Sequence, residues 1–114
     1  MTLHDTRRLP RRPVPGGVAV VDAMTGETLG QLGNLSEAGL LLLAATPLCE
    51  DALYQLDFAL GGDPDPVSVG AHLLWSTPAN TPGQGWHGFR FLTISEAHRM
   101  RVRDWVEAGR NRPG

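Results

Sequence analysis

Lysine is absent from the 114-residue sequence, cysteine occurs once, at Cys49, and aromatic residues make up only 6%. A lone thiol excludes an intrachain disulfide and a thiolate metal cluster, so the core must hold the fold and a reducing compartment is the simplest setting. No window approaches the roughly 18 apolar residues of a membrane span, and Met1 to Arg12 lacks an apolar stretch of signal-peptide length. The chain therefore reads as cytoplasmic, with no membrane insertion. The want of lysine leaves ten arginines as the permanent cations. A GC-rich genome accounts for that usage, and the placement of the arginines says more than their identity.

Arg7, Arg8, Arg11 and Arg12 against Asp5 give the first 12 residues +3. Eight carboxylates against Arg90 alone leave residues 13–95 at −7, and five arginines against three acids give residues 96–114 +2. The cations sit at the two ends. A body at −7 argues against an extended phosphate track, so neither DNA nor RNA is the expected partner.

At 114 residues with 41% hydrophobic content, one domain with a modest core is expected. Fourteen glycines and nine prolines punctuate the chain at short intervals, which suits short strands joined by turns. Pro10 and Pro13 keep the arginine-rich start out of any helix and push Leu9 and Arg12 toward extended geometry, giving an exposed arm over residues 1–13. Strands are expected over Val14–Asp22, with a bend at Gly16-Gly17, then over Thr28–Gly33 and Leu40–Ala45. Alternation of Tyr54, Leu56, Phe58 and Leu60 with polar positions marks a half-buried antiparallel strand. Val67, Val69, Ala71, Leu73 and Trp75 repeat that pattern, and Trp86–Leu92 closes the series. The period then changes. Thr93-Ile94-Ser95-Glu96 matches a capping box, Val102, Trp105 and Val106 fall at helical spacing, and Gly109 is a plausible stop. Six short antiparallel strands over residues 14–92 and one C-terminal helix over 93–110 point to a small closed β-barrel, because closure removes exposed edges.

Catalytic chemistry finds little purchase. His4, His72, His87 and His98 are scattered, Cys49 has no evident activating partner, and the glycines spell neither a P-loop nor a dinucleotide fingerprint. No enzyme activity, metal or cofactor is expected. Two polar motifs remain. Arg7-Arg8-Leu9-Pro10-Arg11 is an RRxxR run, and Asn34-Leu35-Ser36-Glu37-Ala38-Gly39 is an NxSxxG run, with 22 residues between Arg11 and Asn34.

In this order and at this separation the two motifs resemble the paired signature of the PilZ domain, and the resemblance covers nearly the whole chain. It implies a six-stranded β-barrel with a C-terminal helix, acting as a bacterial receptor for the second messenger cyclic di-GMP. Arg7, Arg8 and Arg11 would then fold the arm over the dinucleotide, with Asn34, Ser36 and Gly39 as the floor. Trp75 resembles the position at which some members stack an aromatic on guanine, while its phase with Val67–Leu73 favours a core residue. Arg12 pairing with Arg8 is the alternative register for the arm, and Asn34 stands where the family often carries Asp. The chemistry agrees with the analogy: a guanidinium is bidentate to phosphate or to guanine O6 and N7, and its plane stacks on a base. A downstream protein partner would complete the signal. The other member of the pair of readings is a PilZ-like adaptor that binds no dinucleotide and acts through protein contacts in pilus or motility assembly.

Overall fold

The computed structural model describes residues 10–45 and 48–110. Its strands are β1 (Arg12–Pro13), β2 (Ala19–Asp22), β3 (Thr28–Leu35), β4 (Gly39–Ala44), β5 (Leu53–Phe58), β6 (Val67–Pro78) and β7 (Gly85–Ile94), followed by helix α1 (Glu96–Arg110). Antiparallel pairing runs β3-β2-β5-β6-β7-β4 and closes through β3–β4, making a six-stranded barrel with a C-terminal helix. The short β1 pairs with β3 beyond the end of β2, Arg12 facing Leu35 and Pro13 facing Asn34.

Alternation fills the barrel. Leu40 and Leu42 of β4, Leu56 and Phe58 of β5, and Val67, Val69 and Leu73 of β6 are fully enclosed, as the period of two requires of strands with one dry face. Helix α1 adds Val102 and Val106 to the same core. Removing such side chains from water is worth about 1.5–3 kcal/mol each, which holds the helix on the barrel.

Several boundaries differ from the sequence reading. The stretch expected as one strand from Val14 divides into β1 and β2, because Gly17 takes φ +102 and turns the chain between two separate anchorings on β3. Val14 N–H donates to the Gly33 carbonyl before that turn, and the Val18 carbonyl accepts from Leu32 N–H after it. Strand pairing thus begins at Arg12, inside the expected arm. Thr93 does not cap the helix. It remains in β7 opposite Gly70, and Ser95 takes the cap, its Oγ accepting from His98 N–H at 3.1 Å. Gly109 does not stop α1 either. It lies within the last turn, where a Cβ would collide with the Arg12 side chain.

Two irregularities in the ladder matter most. Between Leu32 and Asn34 the register of β3 shifts by the extra residue Gly33, and between Leu73 and Trp75 that of β6 shifts by the extra residue Leu74. Each bulge places two successive residues outside before the alternation resumes. Gly33 and Asn34 thereby precede the buried Leu35, and Leu74 and Trp75 both reach the surface, 47% and 44% exposed.

Candidate functional site

The register lays out a row across the outer face of four strands: Trp75 on β6 faces Gly88 on β7, Gly88 faces Leu41 on β4, and Leu41 faces Asn34 on β3. Three interstrand steps make that row about 14 Å long. Pro13 extends it as the partner of Asn34, and Arg11, two residues before Pro13 and so on the same side of β1, folds onto it. Arg11 Nη1 donates to Asn34 Oδ1 at 2.7 Å. Arg11, Asn34, Leu41, Leu74, Trp75 and Gly88 line a shallow cleft of about 250 Å³.

Arg12 points the other way. Its guanidinium stands 3.9 Å from the centre of the Trp105 ring, and its Nη1 donates to the Trp105 carbonyl at 2.6 Å. Adjacent residues of an extended segment face opposite sides, so Arg11, just before β1, reaches the cleft while Arg12 of β1 fastens the helix. Arg7 and Arg8 lie outside the described residues.

The NxSxxG run divides by role. Asn34 faces the cleft. Ser36 is 2% exposed, and its Oγ accepts from Ala38 N–H at 3.1 Å and Gly39 N–H at 3.2 Å, closing the turn from β3 to β4. Gly39 is buried beside β7, where a Cβ would strike the Phe89 carbonyl oxygen; the close approach of these two backbones requires glycine. The Ala38 carbonyl accepts from Phe91 N–H, and Arg99 of α1 binds Glu37 at 3.1 Å, so barrel and helix both grip this turn. Glu96 and Glu37 together raise the pKa of Arg99 above its usual value, Glu96 contributing the larger share.

Trp75 is outside the core because of the Leu74 bulge, which overturns its reading as a core residue. Its indole lies against Gly88, so close that a Cβ there would meet Cε2, Nε1 and Cζ2 of the ring. Trp86, which sequence reading did not single out, does the same over Gly33, where a Cβ would come within 2.7 Å of its Cζ3. It rests on the bulge that turns Asn34 outward. No sequence signal marks either contact: Trp86 meets Gly33 across strands distant in the chain, and the Trp75–Gly88 pair of the consecutive strands β6 and β7 depends on the Leu74 bulge.

The histidines acquire partners the sequence did not show. His72 Nε2 lies 2.6 Å from Asp51 Oδ1, and His87 Nδ1 lies 2.7 Å from Ser76 Oγ. Burial lowers the pKa of His87, partly opposed by a hydrogen bond with the Ala44 backbone and by the charge of Glu50. Neither histidine lines the cleft. Among the described residues no three His, Cys, Asp or Glu side chains cluster as metal ligands, and no helix is long and apolar enough to cross a membrane.

The closed six-stranded barrel thus gathers a guanidinium, a carboxamide and an open indole on its outer wall. The chain belongs to the PilZ domain family, whose model matches residues 5–108. Solved structures share the fold. Escherichia coli YcgR in complex with c-di-GMP is 22% identical with a TM-score of 0.72, over 90% of this chain and 45% of that one. The PilZ domain of the same protein with c-di-GMP is 20% identical, TM-score 0.69, over 91% of each chain. The Bacillus subtilis inhibitor of motility MotI/DgrA is 11% identical, TM-score 0.73, over 93% of this chain and 53% of that one. The chain therefore spans about half the length of YcgR and of MotI. No curated protein matches the sequence.

Proposed function

We propose that this domain is a cytoplasmic receptor for cyclic di-GMP that holds the dinucleotide on the outer wall of the barrel, between the Arg11–Asn34 pair and Trp75. The observation that carries the reading is the 2.7 Å bond from Arg11 to Asn34, which joins the two polar motifs across 23 positions beside an exposed indole. Family membership and the ligand named for YcgR support it. The chemistry matches: Arg11 offers a fork to a phosphate or a guanine edge, Asn34 both a carbonyl and an amide, and Trp75 a surface for stacking.

Size gives the arm its task. A cleft of about 250 Å³ falls below the roughly 300–1,000 Å³ of ordinary small-molecule sites, so a dinucleotide seated there stands proud of the surface. Arg7 and Arg8, closing over it, would supply the missing wall. Ser36 and Gly39 serve the same site by holding the turn, and a downstream protein would read the closed form. In this reading the domain binds and signals and catalyses nothing.

Titration calorimetry with cyclic di-GMP tests the proposal. The parent domain is expected to give a saturable heat, and Arg11→Ala to bind tenfold or more weakly, in line with the ~1.5–3 kcal/mol of a hydrogen bond to a charged group. A variant binding as tightly as the parent removes the arm from the mechanism. Absence of heat and of any chemical-shift change in the parent favours the adaptor that binds no dinucleotide.

A further inference from the structure

We infer that Gly88 is a positioning residue for the ligand: by having no side chain it seats the Trp75 indole against β7, fixing one side of the ring on backbone and leaving the other open to the cleft. The inference rests on the receptor reading and extends it to a residue that carries no polar group and belongs to neither motif.

Three observations converge on Gly88. It is the direct cross-strand partner of Trp75, the pair that follows the Leu74 bulge. The indole occupies the space a Cβ would need, with Cε2, Nε1 and Cζ2 of the ring all in the way. Gly88 also lines the cleft with Arg11 and Asn34, so the seat and the polar groups share one surface. An aromatic laid over a glycine on the neighbouring strand covers backbone that would otherwise face water and is itself held in one orientation. At 44% exposure, an indole without such a seat has room to swing away from the wall. Stacking gains most when the platform is already in place, because less rotamer freedom is lost on binding.

A double-variant cycle read by calorimetry with cyclic di-GMP separates this seat from a merely structural glycine. Trp75→Ala and Gly88→Ala are each expected to weaken binding by about tenfold, within the usual range for loss of one base-stacking contact. Combined, they should bind no worse than Trp75→Ala alone, because a displaced ring and a missing ring leave the same cleft. If Gly88→Ala binds like the parent, or weakens the Trp75→Ala protein as much as it weakens the parent, the inference is overturned. A parent that shows no binding overturns the receptor reading and this inference with it, so the two failures are told apart.

One further measurement needs no variant and stands should Gly88→Ala fail to fold. In the parent, nuclear Overhauser contacts between the Trp75 ring and the Gly88 α-protons are expected to persist in the complex, with guanine contacts appearing on the ring. Loss of the ring-to-Gly88 contacts on binding would show that the indole leaves its seat, and would overturn the inference.

Discussion

Ser36 and Asn34 sit two positions apart in one motif and answer to different forces. The Ser36 hydroxyl accepts from the Ala38 N–H and from the buried Gly39 N–H, so Ser36→Ala takes a partner from a buried donor. That change is expected to cost about 1–3 kcal/mol of stability, read as a lower midpoint in urea unfolding. Asn34→Ala removes a carboxamide at the cleft wall. It is expected to leave the unfolding midpoint nearly unchanged and to weaken the dinucleotide in calorimetry. Gly39 belongs with Ser36: its part is to let β4 approach β7.

At the scale of elements, β5 and the first half of β6 were legible because each keeps a strict period of two from end to end. The barrel and its closing strand followed from that pattern, and the helix from the change to helical spacing after it. The two bulges were not legible. Leu74 and Gly33 look like ordinary members of alternating runs, and only the partner strand shows that each is one residue too many. For that reason the alternation of β6, extended past Leu73, carries Trp75 inward on paper and outward in the molecule. The helix cap was misplaced for a similar reason: Thr93 and Ser95 both suit a cap, and pairing of Thr93 with Gly70 decides between them. Pairing of β1 with β3 puts Arg11 against Asn34 and Arg12 against Trp105, contacts that no local pattern marks. Arg12→Ala should therefore differ from Arg11→Ala in kind. It loses a cation–π contact of about 0.5–2 kcal/mol and a hydrogen bond to the Trp105 carbonyl, and is expected to lower the thermal midpoint.

For the molecule as a whole, pH and salt separate folding from binding. Buried His87 resists protonation, whereas in the unfolded chain it takes a proton near its ordinary value of about 6.5. As pH falls through that value the unfolded state gains a proton that the folded state refuses, so stability is full above it and declines below. The thermal midpoint is expected to drop between pH 7.5 and 5.5, and His87→Gln to flatten that part of the profile. Dinucleotide binding should behave differently. Arginine keeps its charge at any ordinary pH, so affinity is expected to stay level from about pH 6 to 8 and to weaken as salt rises. Calorimetry across both series checks it.

The segment Arg11–Pro13, whose last two residues form β1, is a hasp with a catch on either side. One catch, Arg11, closes on the cleft and the other, Arg12, on the helix, and the two are neighbours in the chain. Free energy linked this way runs in both directions: whatever tightens the hasp from the cleft tightens it on α1, and a protein that pries α1 loose loosens the cleft by the same amount. Under the receptor reading proposed above, amide exchange in the last turns of α1 is accordingly expected to slow when cyclic di-GMP is added, which would carry a signal from one wall of the barrel to its end.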